Sequence, residues 1–227
     1  MLSPIERDYQ KKRTEQHHDH ADLDLQDLPV YDQTLLQLHS GIEELSRIKS
    51  LKGKQSRKAE LLEDFTGYIE GALSPENTRQ DDILIRLMIW NVDVAADENA
   101  LSIAEHAIRH GWVMPDSFRR DVATFVVEEI SEQVIKAKEP EKRLSSLKRL
   151  EQMLETLGKE AGGDGMIDML DEVLAKLYRA TAEALLAEDK RYEALEYFER
   201  ALEANSGCGV KSVTKKLRKE IAQDSPV

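Results

Sequence analysis

The chain has 227 residues, 41% of them hydrophobic and 33% charged, with a formal net charge of −12 and a sequence pI near 5.1. That is enough for one large domain or two small ones with a buried core, and it excludes an intrinsically disordered chain. No run approaches the roughly 20 apolar residues of a membrane span, and the acidic balance excludes a surface coated throughout in positive charge.

Cys208 is the only cysteine, which rules out internal disulfides and a cysteine-rich zinc module. The first 20 residues, MLSPIERDYQKKRTEQHHDH, are polar and lack the apolar stretch of a secretory signal, so a cytoplasmic protein is expected.

Leu, Ala, Glu, Lys and Arg dominate the long stretches between Pro29, Pro75, Pro115 and Pro140, and sustained β-branched alternation is missing. An all-α protein built of helical hairpins is predicted. Residues 1–29 have no periodic apolar pattern and read as a flexible arm. From Val30 to about Lys49, Leu35, Leu38, Ile42 and Leu45 keep an apolar stripe. Gly53 is expected to interrupt it, with a second helix over Ser56–Ala72. Helix-start signals follow at Ser74–Pro75 and at Thr78 with Asp81, the latter resembling a capping box.

The segment ILIRLMIWNV, residues 83–92, is apolar around nearly its whole circumference and is the predicted centre of the core. Asp97 is expected to cap the next helix and Gly111 to end it. A helix from Asp116 or Ser117 carries Phe118 through Ile135 and stops at Pro140. Over 141–157, Leu144, Leu147, Leu150, Met153, Leu154 and Leu157 form a narrow seam suited to helix pairing, within the chain or between subunits. The glycine-rich run 158–165 reads as a linker between a helical core, 30–157, and C-terminal helices, 166–227. In that last part Tyr178, Leu185, Tyr192, Ala194, Tyr197, Phe198, Ala201 and Leu202 match the small-and-aromatic pattern of a tetratricopeptide helix pair. A final amphipathic helix covers Val210–Ala222.

Candidate chemistry is sparse. Asp81 and Asp82 could hold Mg²⁺ for phosphodiester cleavage, but adjacent helical residues point about 100° apart and acids also suit a helix start, which is the preferred reading. His17, His18 and His20 read as a solvated cluster, and His106 with His110 as surface or interface histidines without a third ligand. No phosphate-binding loop or nucleophile motif is present. The most informative feature is basic: Arg47, Lys49, Lys52, Lys54, Arg57 and Lys58 lie within twelve residues containing no acid. Such a patch can neutralise several phosphates, although a solvated helix end is an equally plain alternative. A second acid-free stretch carries Lys211, Lys215, Lys216, Arg218 and Lys219.

The runs RQDDILIRLMIWNVD and ALSIAEHAIRHGWVMPDSFRR, with VYDQTLLQL near residue 30, the SPIER start and GVKSVTKKLRKEI near the end, together resemble the gpM-type small subunits of terminases from temperate contractile-tailed phages. Gln80, Asp81, Asp82, Ile83, Leu84, Trp90, Gly111, Met114, Pro115, Arg119 and Arg120 match the family block. The resemblance implies a ring-like homo-oligomer in the host cytoplasm that binds cos-type packaging-site DNA and recruits the large ATPase and nuclease subunit. The family's endonuclease label leaves a Mg²⁺-dependent nuclease open as an alternative, and a protein-binding adaptor is another. No cofactor is expected outside the nuclease reading. The residues assigned to DNA are those of the 47–58 patch, supported by Arg7, Lys11, Lys12 and Arg13 on the arm. Subunit contacts are assigned to Arg119, Arg120, Leu147, Leu150 and Leu154, and the large-subunit contact to Lys211, Lys215, Lys216, Arg218 and Lys219.

Overall fold

The computed structural model describes residues 29–163 and 165–224. The arm, with Arg7, Lys11, Lys12, Arg13 and its histidines, lies outside them. Among the described residues there are ten α-helices, one 3-10 turn and no strand, as the composition predicts. The helices are α1 (Val30–Arg47), α2 (Leu51–Asp64), α3 (Thr66–Ala72), α4 (Asp82–Asp93), α5 (Asp97–Arg109), α6 (Val122–Lys136), α7 (Leu144–Glu160), α8 (Asp171–Ala187), α9 (Arg191–Ala204) and α10 (Lys211–Asp224), with the 3-10 turn at Pro140–Arg143.

Helix α4 occupies the centre. Ile83, Leu84, Ile85, Leu87, Met88, Ile89, Trp90, Asn91 and Val92 are all buried, so the absence of a polar face in this stretch is matched by neighbours on every side. Helices α1, α2, α5 and α6 all pack against it, and Trp90 meets Phe65 edge to face at 6.4 Å. Further along, α8 packs against α6, α7 and α9, and α10 closes on α9. One hydrophobic cluster runs from Leu38 to Leu217.

Several boundaries differ from expectation, each for a local reason. The bend after α1 falls at Ile48–Ser50 rather than at Gly53, because Ser50 caps α2: its Oγ accepts the Gly53 N–H at 3.1 Å. The predicted single helix to Ala72 is broken at Phe65 into α2 and α3. Thr78 does not cap α4; Asp81 does so itself, through the Leu84 N–H at 3.0 Å. Asp97 sits inside the first turn of α5 rather than capping it. Helix α6 begins at Val122, not Asp116, because Asp121 supplies the cap to the Thr124 N–H at 2.7 Å.

Gly111 ends α5 as predicted. At φ +66° it sends its own N–H to the Ile108 carbonyl and lets the Trp112 N–H reach back to the Ala107 carbonyl, the two-bond closure that favours glycine. Gly163 stays close to α7, its N–H bonding the Gly158 carbonyl at 3.0 Å. Helix α7 continues through Gly158, the Ile167 N–H bonds the Leu154 carbonyl, and a Cβ on Gly158 would lie 2.2 Å from the Gly165 carbonyl oxygen.

Candidate nucleic-acid interface

The corner between α1 and α2 is built from extended residues. Ile48 and Ser50 leave helical geometry with ψ of 125° and 138°, so Arg47 and Lys49 turn outward just before α2 begins. Folding divides the six cations of the patch into two groups. The Arg57 guanidinium is clamped by Glu44 at 2.7 Å and Glu60 at 2.7 Å, and its pKa is pushed up by hydrogen bonds to Glu60 and then Glu44. Lys58 pairs with Asp93. The acids that compensate these two come from outside the stretch that looked acid-free. Arg47, Lys49 and Lys52 are exposed and Lys54 is half-buried, and none of the four has an ion pair among the described residues. Leu51, 81% exposed, stands between Lys49 and Lys52.

Asp81 and Asp82 take different roles despite being adjacent. Asp81 is buried, and each of its carboxylate oxygens has a partner: Oδ1 accepts from the Leu84 N–H, and Oδ2 accepts from the Tyr68 hydroxyl at 2.7 Å. Burial, followed by this bond to Asp81, holds the Tyr68 hydroxyl well above the usual tyrosine range. Tyr31 is raised to about 12 by burial and then by Asp81, Asp82 and Asp32. Asp82 is half-exposed and accepts from the Gln80 amide at 2.9 Å, while Gln80 also bridges both backbone groups of Val113. The two carboxylates do not converge, and among the described residues no group of three or more His, Cys, Asp or Glu side chains could hold a metal. The donor set does not fit a Mg²⁺ site, and no cleavage step follows from it.

His106 is buried rather than at the surface. Its Nε2 lies 2.7 Å from the Asn77 carbonyl oxygen, which can only accept, so that nitrogen carries the proton. His110 packs on it with ring centroids 4.5 Å apart. Its pKa is lowered by burial and then by His106.

Residues 35–162 match the family described as phage small terminase subunit. The chain belongs to that family. It is also 30% identical over 221 residues, covering 97% of this chain and 86% of the relative, to the "Terminase, endonuclease subunit" of Escherichia phage P2. No solved structure matches it. Membership gives this terminase small subunit a role in phage DNA packaging, and no helix among its described residues is long and apolar enough to cross a membrane.

The residues assigned to subunit and large-subunit contacts scatter. Leu147, Leu150 and Leu154 are fully buried within the one chain, so this seam faces its own core. Arg120 pairs with Glu128 at 2.9 Å and Glu129 at 3.1 Å, whereas Arg119 is exposed. On α10, Arg218 pairs with Glu199 and Lys216 lies 3.6 Å from Glu220. Lys211, Lys215 and Lys219 are exposed at four-residue spacing and have no ion pair among the described residues.

One cluster escaped the sequence. Glu151, 6% exposed, accepts from the Tyr197 hydroxyl at 2.5 Å and pairs with Arg200 at 2.7 Å. The Arg200 guanidinium lies over the Tyr178 and Tyr197 rings at 4.0 and 4.7 Å, and Lys148 donates to the Tyr197 hydroxyl at 2.9 Å. Burial, then the bond to Glu151, pushes the Tyr197 hydroxyl far up. The cluster fastens α7 to α8 and α9. In the sequence Tyr178 and Tyr197 stand out as aromatic members of the tetratricopeptide-like pattern, but nothing there joins them to Glu151 and Arg200.

Proposed function

We propose that this chain recognises the packaging-site DNA of its phage, of cos type, through the α1–α2 corner. It acts in the host cytoplasm as a ring-like homo-oligomer and recruits the large ATPase and nuclease subunit. The observation that carries this reading is the set of exposed cations Arg47, Lys49 and Lys52, without an ion pair among the described residues, on a chain of net charge −12. Neighbouring cations have been neutralised within the fold, so those left over are free for phosphates. A ring would repeat the corner on every subunit and multiply weak contacts. Arg119 is the remaining cation for a neighbouring subunit. The Lys211, Lys215 and Lys219 row on α10 suits an acidic face of the large subunit, and the α8–α9 pair, of tetratricopeptide-like pattern, supports that helix.

A gel shift on packaging-site and scrambled duplexes, with and without Mg²⁺, tests the reading. Retardation of intact DNA that weakens as salt rises is the expected result; no retardation at low salt overturns it. The endonuclease name of the phage P2 relative favours a second reading, in which the chain itself cuts the packaging site. Mg²⁺-dependent new ends that persist through purification and disappear in Asp82→Ala would establish that reading.

A further inference from the structure

Leu51 has the highest exposure among the large apolar side chains of the described residues, at 81%. It opens α2, yet the cap is made by the Ser50 hydroxyl with the Gly53 N–H, so the helix start asks nothing of the leucine side chain. Leu51 belongs neither to the core cluster nor to the partly buried residues packed on it. Single exposed apolar residues are ordinary on a protein surface. This one is flanked by Arg47, Lys49 and Lys52, all exposed and without ion pairs among the described residues. An apolar side chain standing among unpaired cations is the arrangement by which proteins grip phosphates while pressing a wedge between base pairs.

We propose that Leu51 inserts at a base-pair step of duplex DNA from the minor groove, with Arg47, Lys49 and Lys52 holding the phosphates around it. The inference rests on the DNA reading of this corner and adds what that reading lacks. Phosphate contacts set position but carry no sequence information. A wedge reads how readily a step opens, which favours flexible TA and CA/TG steps.

The test is bending of a short duplex from the packaging region, labelled at both ends and read by energy transfer, alongside affinity at several salt concentrations. Wild type should draw the ends together. Leu51→Ala should lose the bend and bind roughly tenfold more weakly with the same salt slope, because an apolar contact is lost and no charge is. Leu51→Met should keep the bend. Lys49→Ala/Lys52→Ala should bind with a shallower slope. If Leu51→Ala bends and binds as wild type does while the lysine variant weakens, the wedge is overturned and the DNA reading stands. If wild type binds no duplex, or the lysine variant binds like wild type, both fall together. If Leu51→Ala loses large-subunit association but bends DNA normally, the leucine is a protein contact and the wedge is overturned.

Discussion

At the junction of α5, α6 and α7 the guanidinium of Arg143 is enclosed. It reaches Asp97 through two bonds of 2.6 and 2.8 Å and Gln133 through a third of 2.9 Å, and Gln133 in turn donates to the Val92 carbonyl at 3.1 Å. At the α1–α2 corner, Lys49 and Lys52 are exposed and have no such partner among the described residues. Both regions carry several cations in the sequence, Arg143 beside Lys142, Lys148 and Arg149, although Glu139 and Glu141 also stand near it. The difference is made by an acid 46 residues away in the chain. A cation whose partner is buried cannot be removed without stranding that partner. A cation in solvent can be removed at almost no structural cost, which leaves it available for function.

The largest expected effect follows from the enclosed side. Arg143→Ala leaves the Asp97 carboxylate, 4% exposed, without its counter-charge, and should lower stability by about 3–5 kcal/mol. The denaturant midpoint measures this. A loss below about 1 kcal/mol would mean that water replaces the guanidinium, and the contrast between the regions would weaken.

Glu151→Ala is expected to come next. It removes the acceptor of Tyr197 and the partner of Arg200 at once, but Arg200 is partly exposed and can rehydrate while still lying on two tyrosine rings. A loss of about 2 kcal/mol is expected, again from the denaturant midpoint. A cost as large as that of Arg143→Ala would show that partial exposure does not lessen the dependence of a cation on its acid.

Three partly buried tyrosines give the comparison a pH dependence. Tyr68 and Tyr197 keep their protons above the usual range, through burial and then through Asp81 and Glu151 respectively, and Tyr31 does so up to about 12. An unfolded tyrosine releases its proton near pH 10. The unfolded state therefore loses protons first, and the contribution is intact below about pH 10 and falls as pH rises beyond it. Denaturant midpoints measured upward from pH 9 should decline, and Tyr68→Phe should decline less steeply from a lower start. A parallel decline in the variant would mean that Tyr68 ionises no later in the folded chain than in the unfolded one.

What the sequence revealed and what it hid follow the same division. The α4 core was legible because a helix apolar all round has only one stable location. The turn at Gly111 was legible because glycine suits a positive φ. The turn at Ala95 was not, since alanine adopts φ 59° there without the residue type that announces it. Charged stretches could be located, but their pairing could not. Glu44 and Asp93 are brought to Arg57 and Lys58 only by the packing of α1 and α4 against α2. The same holds for the acids: a neighbouring pair in the sequence became one buried cap and one half-exposed side chain.

The smallest structural effect belongs to the corner, and it sharpens the comparison most. Lys49→Ala and Lys52→Ala remove exposed side chains that pair with no acid among the described residues, so each should leave stability within about 0.5 kcal/mol of wild type. If the corner holds phosphates, each should also lower the slope of log affinity against log salt by about one, as a single lost contact does, and weaken packaging-site and scrambled duplexes alike. Lys58→Ala is the internal control. Its ammonium is engaged by Asp93, so it should shift the denaturant midpoint while leaving the salt slope nearly unchanged. A slope that changes with Lys58→Ala but not with Lys49→Ala or Lys52→Ala would reverse the division. Freedom from an internal partner would then be no guide to which cations of this terminase subunit meet DNA.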